Sequence, residues 1–141
     1  VTDVQELLGA GDRIELTFPA RGDLIVLARL VTSAVSARAG FDIEELEDLR
    51  LAVGELCLLT LQGSDARHGD LCLELTVLGD AIGVVCTLGG AAASCGPSTD
   101  GDEAVKLSQQ ILDALVDEHG RERQDESVRA WLQKRRRGHV E

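Results

Sequence analysis

Apolar positions along the chain keep two rhythms, one helical and one alternating. In the run IEELEDLRLAVGELCLLTLQ, from Ile43 to Gln62, Leu46, Leu49, Val53, Leu56 and Cys57 recur at three- and four-residue spacing. That spacing predicts a helix of about five turns with one core stripe. Its first turns hold Glu44, Glu45, Glu47 and Asp48, where the positive end of the helix dipole favours acids, and Asp42 stands as its cap. At 100° per residue, Glu44, Asp48, Glu55 and Gln62 fall on the face opposite the stripe. Any chemistry of this helix belongs on that face.

The remaining elements follow from the same two periods. RIELTFPA alternates, predicting a strand over Arg13–Phe18 closed by Pro19. Asp23 is read as the N-cap of a helix reaching about Ala37, with Leu24, Leu27, Ala28, Val31 and Val35 on one face and Gly40 as the stop before Asp42. LCLELTVLGD and AIGVVCTLGG read as two strands of a hairpin turning at Gly79 and Asp80. GGAAASCGPSTDGDE has only small side chains, so it reads as a mobile loop. A helix is expected from about Glu103 to Glu118, with Val105, Leu107, Ile111, Leu112, Leu115 and Val116 setting its period. GRERQDE reads as a polar turn with room for a short strand, and SVRAWLQK as a last strand. The order predicts an α+β two-layer sandwich, with helices on one face of a mixed or antiparallel sheet. Residues 1–12 are taken as a flexible lead-in, 13–134 as the domain, and 135–141 as a basic tail.

Composition narrows the function classes. At 141 residues the chain suits one domain, and 44% hydrophobic with 28% charged residues is ordinary for a soluble fold. No apolar run approaches the ~18 residues of a membrane helix, and no signal segment opens the chain, so a cytoplasmic protein is expected. The net charge of −11 disfavours a nucleic-acid surface and favours a basic protein partner. The four cysteines, Cys57, Cys72, Cys86 and Cys95, form no C-x-x-C pair and read as small buried hydrophobes, with a zinc or disulfide site as the second reading. His68, His119 and His139 share no spacing, and no metal site is expected.

The stretch DLRLAVGELC, Asp48 to Cys57, resembles the N-box helix of the anti-sigma-factor serine kinases, a branch of the Bergerat ATPase superfamily that includes histidine-kinase ATPase domains. The family pattern carries a glutamate as general base and, four residues on, an asparagine as magnesium ligand. Glu55 matches the glutamate, whereas Leu59 stands at the asparagine position. The family's D-x-G-x-G box corresponds to VVCTLGGA, with Thr87 at the aspartate position and Gly89 and Gly90 behind it; the last box places Ser108 where a phosphate-facing glycine is expected. A lost magnesium ligand alone removes several kcal/mol, roughly, of transition-state stabilisation. Leu51, Leu58 and Leu59 approach the face of Glu55, predicting either a dry, collapsed pocket or an apolar partner patch.

By the same resemblance, Arg29 matches a first-helix arginine that contacts partners, and Arg21 is placed to share the contact. Glu44 and Asp48 are candidate contacts for a basic segment. The resemblance implies a bacterial, homodimeric anti-sigma-type regulator that binds a sigma factor, an anti-anti-sigma (STAS-type) protein, or both. Glu55 becomes a vestigial base and ATP binding is weakened or lost, so no cofactor is expected. The alternative is a working kinase that phosphorylates the anti-anti-sigma protein and uses ATP and magnesium. Lys134 to Arg137 is the one dense basic cluster and reads as part of the disordered tail.

Overall fold

The structure is a computed structural model, and it describes residues 11–62, 69–89, 103–124 and 127–137. In chain order the elements are β1 (Arg13–Pro19), a 3-10 turn (Gly22–Leu24), α1 (Ile25–Arg38), α2 (Ile43–Leu61), β2 (Asp70–Val77), β3 (Ala81–Gly89), α3 (Glu103–Leu115), β4 (Glu118–Gln124) and β5 (Ser127–Arg135). The strands form one sheet in the order β1, β2, β3, β5, β4, and every pairing is antiparallel. The expected α+β architecture is therefore present, with the sheet antiparallel throughout its described strands. Residues 90–102 of the expected loop, with Gly90 and Cys95, lie outside the described residues, as do residues 1–10, His68 and His139.

Alternation decides which sheet face is covered. Leu71, Leu73, Leu75 and Val77 of β2, Ile82, Val84, Cys86 and Leu88 of β3, and Val128, Ala130 and Leu132 of β5 are all buried on the helix side. Each leucine removed from water in this way contributes about 1.5–3 kcal/mol. α2 is the central layer, packing on α1, α3, β3 and β5. The other sheet face is mostly polar, with Val85 and Trp131 opposite each other across β3 and β5. Glu15 and Glu74 stand directly opposite each other across β1 and β2, a like-charge pairing that Arg13 offsets at 3.5 and 3.4 Å.

Local chemistry sets the element ends. Asp42 accepts from the Glu45 amide at 2.8 Å while Glu45 accepts from the Asp42 amide at 3.1 Å, a reciprocal capping box. Gly40, at φ +90, ends α1: its amide reaches the Ala37 carbonyl and the Phe41 amide the Ser36 carbonyl. At the hairpin, Gly79 takes φ +78 and the Leu78 amide bonds the Ala81 carbonyl at 2.7 Å.

Three expectations need correction. Asp23 does not cap α1: it lies in the 3-10 turn, and its side chain pairs with Arg21 at 2.9 Å. The third helix ends at Leu115 rather than about Glu118, and the short strand for which GRERQDE left room is β4, which starts already at Glu118 and pairs with β5 over seven residues. Lys134 to Arg137 does not behave as a free tail. Lys134 donates to the Leu115 carbonyl at 2.9 Å, the Arg136 amide bonds the Asp80 carbonyl, and the Arg137 amide bonds the fully buried carboxylate of Glu45.

Candidate functional site

Two regions of α2 carry the candidate chemistry. On the flank towards α3, the Ser108 hydroxyl donates to Glu55 at 3.0 Å. Ser108 is 5% exposed, so the bond closes the seam between the two helices. Leu59, one turn on, is 1% exposed and belongs to the core. An aliphatic side chain offers no lone pair to a cation. The three leucines expected near Glu55 thus divide: Leu59 packs inward, while Leu51 and Leu58 stand 49% and 36% exposed on the surface.

The structure brings Glu55 and Ser108 together but leaves Thr87 apart. Strand alternation turns Cys86 and Leu88 towards the helices and Thr87 to the open face. There Thr87 lines a shallow hollow of about 230 Å³ with Cys72, Glu74, Val85, Ser127 and Arg129. Gly89 ends β3, and Gly90 lies beyond the described residues. A second hollow, about 440 Å³, runs along the outer flank of α3 beside Glu103, Lys106 and Gln110. Glu55 lines neither. Among the described residues no cluster of His, Cys, Asp and Glu could hold a metal ion.

The second region lies where α1 crosses α2. Gly54 has no side chain, and the Arg29 guanidinium occupies the space a Cβ there would take: that Cβ would stand 2.6 Å from both Nε and one terminal nitrogen. The Arg29 Nε is buried and has no hydrogen-bond partner among the described residues. On the same two helices, Val26 and Leu30 of α1 are 48% and 61% exposed, and Leu51 and Leu58 flank Gly54 one turn either way on α2. The result is one partly desolvated cation on a pair of helices that also expose apolar side chains. Such a centre resembles the aromatic- or arginine-anchored hot spots of protein interfaces more than a reaction site. The sequence named Arg29 but not its seat; a glycine inside a long helix was the available signal.

The other candidate contacts are already engaged. Arg21 and Asp23 are mutually hydrogen-bonded, which raises the Arg21 pKa and holds the Asp23 carboxyl below its usual range. Glu44 pairs with Arg137 at 3.3 Å, and Asp48 lies 3.9 Å from both Lys134 and Arg137. The acidic start of α2, expected to face a basic partner, is thus met by the basic end of the same chain.

No protein-family model matches the chain. It is similar to proteins named serine-protein kinase RsbW: 33% identical over 78 residues to that of Bacillus pumilus, covering 52% of this chain and 48% of the relative. With the Bacillus subtilis protein it shares 27% identity over 121 residues, 76% of each chain. With that of Listeria monocytogenes it shares 39% over 66 residues, 47% of this chain and 41% of the relative. The alignments thus span from under half to about three quarters of these relatives. The crystal structure of the RsbU and RsbW domains of Rv1364c from Mycobacterium tuberculosis superposes with a TM-score of 0.67 at 16% identity, covering 89% of this chain and 32% of that one. In sequence the chain is thus similar to serine-protein kinases named RsbW, and its α+β fold is one that the structure of the RsbU and RsbW domains shares.

Proposed function

We propose that this chain is an anti-sigma-type regulator that works by binding: it sequesters a sigma factor through the α1–α2 face centred on Arg29, and an anti-anti-sigma protein competes for the same face. The observation that carries the reading is the Arg29 guanidinium, held against Gly54 with its Nε unpaired among the described residues, on two helices that expose Val26, Leu30, Leu51 and Leu58. An acidic side chain from a partner pairs with the guanidinium, and apolar contacts with the exposed side chains exclude water around the pair. Glu44 and Asp48 are secondary in this reading, because Arg137 and Lys134 already neutralise them.

Phosphoryl transfer is lost in the same proposal. Ser108 occupies the Glu55 carboxylate, Leu59 stands where a cation ligand is needed, and Thr87 lies on the opposite side of the sheet. ATP and magnesium are then not required. The protein works as a homodimer in this reading, with β1 at the sheet edge and the neighbouring α1 as the contact region. Its compartment is the cytoplasm, in keeping with the absence, among the described residues, of a helix long and apolar enough to cross a membrane.

Titration calorimetry with Mg-ATP tests the loss of catalysis. No heat of binding is expected up to millimolar nucleotide; micromolar affinity would restore the rival reading of a serine kinase with Glu55 as base. Light scattering of the purified chain tests the dimer, and a monomer mass at all concentrations would remove it.

A further inference from the structure

Two thiols face each other in the core where α2 meets β3. Cys57 Sγ and Cys86 Sγ lie 3.9 Å apart, and both residues are fully buried. The bond with Cys57 lowers the Cys86 pKa, burial opposes it, and the neighbouring Thr60 hydroxyl adds to the lowering. The bond to Cys86, then burial, push the Cys57 thiol well up, while the charge of Arg29 works the other way. Cysteines that only fill space need neither a facing sulfur nor polar neighbours of this kind.

We propose that Cys57 and Cys86 form a dithiol site that a peroxide converts to an intramolecular disulfide tying α2 to β3. In the first step the Cys86 sulfur attacks one peroxide oxygen and the O–O bond breaks. Cys86 becomes a sulfenic acid, and the departing hydroxide takes up the thiol proton as water. In the second step the Cys57 sulfur attacks the sulfenic sulfur, the S–O bond breaks, and the leaving hydroxide combines with the Cys57 proton as a second water. The two thiols together lose two electrons, and one peroxide is reduced to two waters. Because both sulfurs are shut off from solvent, the reaction proceeds through local opening and is slower than at an exposed thiol. Closing the sulfurs from 3.9 Å to the roughly 2.05 Å of a disulfide shifts α2 against β3, and with α2 the seat of Arg29. The bond itself does not depend on any partner.

The test treats the full chain with hydrogen peroxide, caps remaining thiols under denaturing conditions, and locates links by tryptic digestion and tandem mass spectrometry. Peptide 51–67, which holds Cys57, is expected to be joined to peptide 68–106, with fragment ions placing the link at Cys86. A Cys72→Ala/Cys95→Ala double variant leaves the buried pair untouched and is expected to form the link at an unchanged rate. Cys57→Ala, checked for folding by circular dichroism, is expected to leave no intrachain link at Cys86. The proposal is overturned if Cys57 joins Cys72, Cys95 or a second chain instead. It is equally overturned if Cys57 and Cys86 are both recovered as capped thiols, or if the double variant fails to form the link.

Discussion

Gly54→Ala separates the seat of Arg29 from the stability of the fold. A Cβ at position 54 would stand 2.6 Å from two guanidinium nitrogens and 2.9 Å from the carbon between them. All three atoms belong to the far end of one flexible side chain, so the arginine moves and the helix does not. Alanine in a helix interior is worth roughly 1 kcal/mol over glycine. Against this stands the packing the displaced arginine stem gives up, about 1 kcal/mol, while its unpaired Nε gains water. The two nearly cancel, so Tm is expected to stay within about 4 °C of the parent. Binding is a different matter: an interface anchor is worth about 2 kcal/mol or more, so affinity for a sigma factor should fall by roughly 30-fold or more. Thermal melts followed by circular dichroism, with calorimetry against the partner, read both quantities. Wild-type affinity within twofold in a folded variant would refute the reasoning. So would a loss of more than about 3 kcal/mol of stability, which would show that the backbone rather than the guanidinium requires glycine.

Three further outcomes follow from the same contacts. Glu45→Ala removes a fully buried carboxylate that caps Asp42 and accepts from the Arg137 amide; a loss of about 2–4 kcal/mol is expected by chemical denaturation, most of it from the orphaned amides because Arg137 is itself half exposed. Ser108→Ala deletes the hydrogen bond to Glu55 at a cost of about 1 kcal/mol, and a phosphate-release assay should show no ATP turnover in the freed variant. Ser36→Ala removes a buried hydroxyl that has no partner among the described residues; the denaturation midpoint should rise by about 1 kcal/mol equivalent with an unchanged m-value.

What could be read from the sequence was what local chemistry decides. The α2 stripe and the Asp42 cap announced themselves by period and by position, as did the alternation of β2 and β3. β4 showed only as room for a short strand, because GRERQ lies at the sheet edge and never acquires an alternating apolar face. Asp23 looked like a cap, yet Arg21 two residues earlier claims its carboxylate and the helix begins past it. The acidic start of α2 and the basic end of the chain were read as separate features, and only strand pairing brings Arg137 to Glu44 and Glu45, more than ninety residues away. Thr87 was assigned by resemblance to the family's glycine-containing box, whereas strand parity places it on the far side of the sheet from Glu55. Arg29 was legible as a candidate, but its place against Gly54 required the crossing of two helices.

The central claim is that the α1–α2 face recognises a sigma factor through Arg29 without nucleotide. Titration calorimetry of the wild-type chain and Arg29→Ala against a sigma factor from the same host, in nucleotide-free buffer, tests it most directly. The account predicts saturable binding by the wild type and a loss of tenfold or more in a variant that melts as the parent does. Binding that appears only with Mg-ATP, or that survives Arg29→Ala unchanged, would contradict it.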